Sequence, residues 1–108
     1  MIFLFPGKLF AEKRSETDQA AVDKKTKDLT LYHFDSCRFC RKVRRRINRK
    51  SLNIELRDIR LNKNYETELM SGGGKTQVPA LRIVQPGGEI TWMYESGDII
   101  EYLGHEFN

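Results

Sequence analysis

Two cysteines three positions apart are the residues of this chain best suited to chemistry. They form the run Cys37-Arg38-Phe39-Cys40, which follows an apolar stretch at residues 29–34 and precedes a long helical pattern. A strand, a CxxC run and a helix in that order put the first thiol at a helix N-terminus, where free backbone N–H groups and the helix dipole stabilise a thiolate. The pattern predicts reversible thiol–disulfide exchange, with Cys37 as the exposed nucleophile and Cys40 as the buried thiol that resolves a mixed disulfide.

Other roles for the two cysteines are less well supported by the sequence. A disulfide between them would close only a tiny loop and staple little of the fold. A zinc site normally has four ligands, whereas the only histidines, His33 and His105, lie far apart at unrelated spacing. We therefore expect no metal, although inert buried thiols stay an alternative. His33, in a strand, is more typical of a hydrogen-bonded core histidine than of a proton shuttle.

The elements that must position the cysteines follow the order β-α-β-α-β-β-α, which indicates an α/β domain. The expected strands cover residues 29–34, 54–59, 79–84 and 90–94, and the expected helices cover residues 39–50, 65–70 and 98–106. Phe39, Val43 and Ile47 recur at four-residue spacing and predict the apolar stripe of the first of these helices. The glycines at 72–74 are expected to end the second helix, and Ser96 to cap the third.

The first 28 residues differ in character from the rest and are expected to form an N-terminal extension, with residues 29–108 as the domain. A short helix over residues 16–27 is possible, with a thin apolar stripe. Residues 1–7 are apolar but shorter than the roughly 20 residues of a membrane span, and no basic region precedes them. We expect neither a signal peptide nor a transmembrane helix there. Three interpretations are open: an arm that packs on the domain or stays loose, a weak membrane-surface contact, and the remnant of an anchor.

Positive charge is concentrated in one helix. The net charge is only +4, but residues 38–50 contain eight basic residues and no acidic one. Because exposed aromatic residues do not alternate with these charges, we expect no nucleic-acid partner. A solvated helix surface, an acidic protein partner and an anionic membrane surface are the interpretations that the pattern leaves open.

Two sites farther along the chain suit a peptide-like ligand. A cis bond at Val78-Pro79 would turn the Val78 backbone outward, whereas a trans bond would merely mark a strand edge. Ser96 at a helix start offers a hydroxyl and backbone N–H groups to a carboxylate, and Asp98 can bind the ammonium of the same amino-acid group. Plain helix capping is the alternative for both residues.

Three runs together resemble a known family: Cys37–Cys40, Thr76–Pro79 and Glu95–Leu103. In this order they look like a glutaredoxin, and they are also similar to the N-terminal, glutathione-binding domain of glutathione transferases. The resemblance implies a thioredoxin-like fold with a four-stranded mixed sheet flanked by helices, a cis Pro79, and Cys37 as the nucleophile. It also implies a glutathione site formed by Phe39, Lys75, Val78, Pro79, Ser96 and Asp98.

The chain departs from the glutaredoxin pattern beside the first cysteine. Arg38 stands where a proline is usual, and Phe34 where a lysine is common; Arg38, Arg41 and Lys75 could replace the charge of that lysine. We expect a glutathione-dependent thiol–disulfide oxidoreductase, a cytoplasmic monomer whose partners are glutathione and disulfide-containing or glutathionylated proteins. A glutathione-dependent iron–sulfur carrier and a non-catalytic glutathione-binding adaptor are the alternatives.

Overall fold

Four helices and four strands make up the part of the chain that the structure, a computed structural model, describes, which is residues 11–107. The apolar run at residues 1–7 lies outside this range. The elements are, in chain order, α1 (Glu16–Thr26), β1 (Leu29–His33), α2 (Arg38–Arg49), β2 (Glu55–Asp58), α3 (Lys63–Gly73), β3 (Ala80–Val84), β4 (Ile90–Met93) and α4 (Ser96–Glu106).

The strands form one mixed sheet in the order β2-β1-β3-β4. Strands β1 and β2 are parallel, which requires the crossover helix α2 between them, while β3 pairs antiparallel with both β1 and β4. Leu31 of β1 lies opposite Leu56 of β2 and Leu81 of β3, so β1 is central. The predicted α/β class and the four-stranded mixed sheet are confirmed, and the fold is thioredoxin-like.

Helices α2 and α4 cover one face of the sheet and enclose the larger core. Val43 and Ile47 of α2 pack there with Leu31, Leu81 and Leu103. The predicted stripe of α2 is wrong at its first position, because Phe39 is 55% exposed and Cys40 is buried in its place. Cysteine behaves as a small hydrophobe, and at Cys40 it continues the spacing of Val43 and Ile47 toward the sheet.

Helix α3 covers the other face, where Tyr32 and Leu69 are buried together. The glycine run ends this helix as expected, but α3 is longer than the predicted residues 65–70: it spans Lys63–Gly73, and its C-cap is Gly74, whose φ of 87° is the left-handed conformation that glycine adopts easily. A Cβ atom built at Gly73 would overlap the hydroxyl of Tyr94. Glycine therefore lets the end of α3 pack directly on the aromatic residues at the end of β4.

Both ends of the described chain meet at the C-terminal end of α2. The Glu12 N–H donates to the Arg49 carbonyl at 2.7 Å, and Lys50 Nζ donates to the Phe107 carbonyl at 3.3 Å. Helix α1 occupies the stretch where a short helix was expected; it contacts the core through Val22, and Thr26 is buried. The division into a 28-residue extension and a domain stays a prediction. Within residues 11–107, no helix is both long enough and apolar enough to cross a membrane.

Candidate active site

Cys37 is the residue that starts helix α2, as its N-cap. Its backbone is extended, and its Sγ atom accepts the Cys40 N–H at 3.3 Å, in place of the oxygen that caps many helices. The side chain is half-buried, and both cysteines are free thiols. The Cys37 sulfur thus accepts a backbone N–H at the N-terminal end of α2, which is the positive end of the helix dipole.

Cys40 lies one turn further along and faces the core. Burial, and then the hydrogen bond with the Cys37 thiol, raise the pKa of Cys40 to about 12. Cys40 is fully buried, whereas Cys37 is partly open to solvent. The structure therefore gives the two thiols different environments, and only Cys37 can be reached directly by a large reagent.

Arg44 ties the turn ahead of Cys37 to helix α2. Its Nη1 lies 2.9 Å from Nδ1 of His33, and its Nη2 donates to the Asp35 carbonyl at 3.0 Å. A guanidinium has only donors, so Nδ1 of His33 is the acceptor. Burial, and then the charge of Arg44, lower the pKa of His33, which keeps the ring neutral. His33 is a buried residue that contributes to the site by accepting a hydrogen bond from Arg44, which also binds the turn before Cys37.

A groove of about 200 Å³ lies between the start of α2, the loop before β3 and the start of α4. We call it the cis-proline groove, because the Val78-Pro79 peptide bond is cis. Its lining contains four of the residues that the sequence indicated, Phe39, Val78, Pro79 and Ser96, together with Gln77, Tyr94 and Glu95. The structure thus brings three separate sequence runs to one surface, which includes Phe39, two residues after Cys37.

The groove residues that sequence reasoning missed had a weak signal in the chain. Gln77 and Glu95 stand inside the runs that carry the family resemblance, next to residues that were chosen. Tyr94 ends the fourth predicted strand and directly precedes Glu95. Proximity to a recognised motif in the sequence could therefore have indicated these residues. Which neighbours of a motif line the groove depends on the packing of the elements.

Two of the predicted ligand residues lie outside the lining of the groove. Lys75 is exposed, with its Nζ atom 4.4 Å from the centroid of the Tyr94 ring, so it borders the groove through that residue. Asp98 is exposed in the first turn of α4. Each therefore neighbours a lining residue: Lys75 lies against Tyr94, and Asp98 lies two residues after Ser96.

The expectation that Ser96 caps α4 is wrong. Glu95 is the N-cap, no side chain caps this helix, and Ser96 is its first residue. The first helical hydrogen bond is donated by the Ile99 N–H to the Glu95 carbonyl. The backbone N–H groups that precede it at the helix start have no partner within the helix, as at any helix N-terminus. The hydroxyl of Ser96 is thus not used in capping, and it lies in the groove wall.

Metal binding has no visible basis in the described part of the chain. Across residues 11–107, no three side chains from histidine, cysteine, aspartate and glutamate come together in a group suited to hold a metal ion.

The family of the chain follows from its match to a model of protein-family sequences. The model named glutathione S-transferase, N-terminal domain, matches residues 31–108. The chain belongs to the glutathione S-transferase N-terminal domain family. The matched residues include all of the elements that form the cis-proline groove, and the name of the family refers to glutathione. No curated protein matches the chain in sequence.

One solved glutathione transferase agrees with the family match at the level of the fold. Glutathione transferase Omega 3C from Trametes versicolor is 20% identical, with a TM-score of 0.61 over 89% of this chain and 42% of that chain. The chain therefore spans less than half of the Omega transferase. A glutaredoxin from Brucella melitensis is 16% identical, with a TM-score of 0.47 over 73% of this chain and 79% of that chain.

Proposed function

We propose that this transferase-family domain is a glutathione-dependent thiol–disulfide oxidoreductase with Cys37 as its nucleophile. The observation that carries the proposal is the position of Cys37: it is a helix N-cap whose sulfur accepts the Cys40 N–H, and it stands two residues before Phe39, which lines a groove with Val78, Pro79 and Ser96. The thiolate is the form of cysteine that attacks disulfides, and a helix N-terminus favours that form.

With a glutathionylated protein as substrate, one protein thiol is enough. The Cys37 thiolate attacks the glutathione sulfur of the mixed disulfide, so a Cys37–glutathione disulfide forms and the substrate leaves as a thiolate that takes a proton from water. A second glutathione thiolate then attacks the glutathione sulfur bound to Cys37. The products are oxidised glutathione and free Cys37: the sulfur of the second glutathione is oxidised to a disulfide, the substrate sulfur is reduced to a thiol, and the first glutathione sulfur is in a disulfide throughout.

With a protein disulfide as substrate, Cys40 adds a second route. Attack by Cys37 gives a mixed disulfide with one substrate cysteine and releases the other as a thiol. Cys40 then loses its proton and attacks the Cys37 sulfur, which releases the substrate and leaves a Cys37–Cys40 disulfide. Two glutathione molecules reduce that disulfide. Because Cys40 is buried one turn from Cys37, it is placed for this internal step and not for attack on external substrates.

Glutathione is proposed to lie in the cis-proline groove. The Val78 backbone would pair with the cysteinyl part of glutathione, and Ser96 with the N–H groups of the α4 start would bind the γ-glutamyl carboxylate. Glu95 in the wall and Asp98, three residues later, offer carboxylates to the γ-glutamyl ammonium. Lys75, beside Tyr94, offers its charge to the glycyl carboxylate.

The proposal includes a monomer in the cytoplasm. A reducing compartment keeps cysteines as thiols, which is the state that the proposed attack by Cys37 requires. Sedimentation of the purified protein tests the monomer, and fractionation of cells tests the compartment.

Two cysteine variants test the proposed reaction. The assay follows turnover of a glutathionylated peptide with reduced glutathione, coupled to glutathione reductase. We expect Cys37→Ser to abolish turnover, and Cys40→Ser to retain turnover of this substrate while slowing reduction of a protein disulfide. Equal loss in both variants on the glutathionylated peptide would contradict the one-thiol route. No turnover of either substrate by the unmodified protein would contradict the proposed function, and visible absorbance typical of an iron–sulfur cluster would favour the carrier alternative.

A further inference from the structure

A second groove lies between helices α2 and α4, farther along both helices than the cis-proline groove. It has a volume of about 180 Å³ and is lined by Lys42, Arg45, Arg46, Arg49 and Ile100. We call it the basic groove. Ile100 of α4 is its only apolar lining residue, and the other four residues come from consecutive turns of α2.

The charges of the basic groove are not neutralised by neighbouring side chains. The ion pairs of residues 11–107 involve other basic residues, namely Arg14, Lys25, Lys50 and Arg57. Helix α2 contains no acidic residue, and the acids of α4, Asp98 and Glu101 among them, do not line the groove. A concave surface lined by charge of one sign attracts opposite charge more strongly than scattered surface residues do.

The basic groove continues the cis-proline groove. Phe39 lines the cis-proline groove, and the Nζ atom of Lys42, one turn later, lies 5.9 Å from the centroid of the Phe39 ring. On the facing helix, Ser96 lines the first groove and Ile100, one turn later, lines the second. A peptide that reaches Cys37 through the first groove can therefore extend into the second along α2 and α4.

We propose that the basic groove selects disulfide substrates that have an acidic segment close to the reactive cysteine. This inference depends on the proposed oxidoreductase function. In the step concerned, the Cys37 thiolate attacks one sulfur of the substrate disulfide and displaces the other as a thiol, Cys40 resolves the mixed disulfide, and glutathione supplies the two electrons.

The length of α2 sets where the acidic residues must be. Lys42 and Arg49 follow Cys37 by five and twelve residues, which at 1.5 Å per residue is about 8 and 18 Å along the helix axis. An extended peptide covers about 3.3–3.6 Å per residue. The carboxylates that reach the groove are therefore about two to six residues from the substrate cysteine.

The experiment compares four peptides, each presented as a disulfide-linked dimer. The first peptide has four glutamates two to six residues after its cysteine, and the second has four glutamates two to six residues before its cysteine. The third has glutamines in place of the glutamates. The fourth has the glutamates twelve or more residues from the cysteine. At low salt we expect kcat/KM for one or both near-acid peptides to exceed that for the other two by roughly tenfold, within the range of about 10–10³ found for charged clefts. At 1 M salt, where the screening length falls to about 3 Å, the preference should disappear.

A pair of double variants assigns the preference to the groove. Arg45→Glu with Arg49→Glu should remove it and leave turnover of the glutamine peptide unchanged. Lys24→Glu with Lys63→Glu makes the same change in net charge at exposed positions of α1 and α3, and should retain the preference.

The outcomes separate this inference from the function on which it depends. If all four peptides are reduced equally, the groove does not select substrates and only this inference is overturned. If none is reduced, the oxidoreductase function fails and the inference fails with it. Equal loss of the preference in both double variants would assign it to net charge and overturn the role of the groove.

Discussion

Arg44 offers a sharp test of how the active-site turn is held. We consider Arg44→Met, which keeps the length of the side chain and removes its hydrogen bonds. The Phe34 and Asp35 carbonyls that Arg44 reaches are at a turn, where water can replace it. The Nδ1 atom of His33 belongs to a residue that is 8% exposed, so this acceptor is left with little access to water.

The expected loss therefore depends on one unsatisfied acceptor. A buried acceptor without a partner costs about 1–3 kcal/mol, and we expect the free energy of unfolding to fall by about 2 kcal/mol at pH 7.5. Arg45→Met on the same helix is the matched control: the side chain is exposed, and its loss should stay within about 0.5 kcal/mol. Urea denaturation of the three proteins measures both values.

The pH dependence of the free energy of unfolding gives a second expectation for Arg44→Met. The pKa of His33 is lowered in the folded state, first by burial and then by the charge of Arg44, so the unfolded chain binds this proton more readily. The stability from neutral His33 is fully present above the unfolded pKa of about 6.5 and is lost as the pH falls below it. Arg44→Met removes one of the two causes, so the variant should lose less stability between pH 7.5 and pH 5. The difference between the two proteins should therefore narrow at pH 5. Equal losses for Arg44→Met and Arg45→Met, or a difference that widens at pH 5, would refute this account of the turn.

Three further predictions concern the thiols, the groove and the end of α3. Limited alkylation with iodoacetamide at pH 6 should label Cys37 before Cys40, because Cys40 is buried and its pKa is raised; peptide mapping that finds Cys40 labelled first would exclude Cys37 as the nucleophile. Ser96→Ala should raise the KM for glutathione about tenfold, the value of one hydrogen bond to a charged group, and leave the Tm unchanged because Ser96 caps nothing. A lower Tm with an unchanged KM would instead give Ser96 a structural role. Gly73→Ala should lower the free energy of unfolding by about 1–3 kcal/mol through overlap with the Tyr94 hydroxyl. Adding Tyr94→Phe should recover part of that loss, since it removes the overlapping atom, which is itself buried without a hydrogen-bond partner; no recovery would place the strain elsewhere.

The order of the elements was predictable from the sequence, because local patterns determine it. Apolar runs and turn residues marked all four strands. The turn between β3 and β4 has Gly88 at a φ of 91°, a conformation that glycine adopts easily. The position of Cys37 at the start of a helix was also readable, because a strand, the CxxC run and the helical pattern are adjacent in the chain.

The errors arose where contacts between distant residues decide the outcome. Phe39 fits an apolar spacing, but only the packing of α2 on the sheet shows that Cys40 takes the inner position. The glycines at 72 and 73 suggested that α3 would stop before them, and the close contact between Gly73 and Tyr94, twenty-one residues later, could not be read from the local pattern. The groove walls likewise depend on how α4 sits beside the loop before β3. For that reason the motif could identify Ser96 as a site residue, but it could not show that Lys75 and Asp98 lie outside the lining of the groove.

The meeting of residues 12 and 107 at one end of α2 has a practical consequence for work with this protein. Helix α2 has twelve residues and is about 18 Å long, with Cys37 at its opposite end. A bead, an electrode or a fluorescent fusion attached through either region would sit behind the thiols and leave the cis-proline groove facing the solution. Surface-based measurements of thiol exchange are therefore feasible with a linker attached near residue 12 or near residue 107.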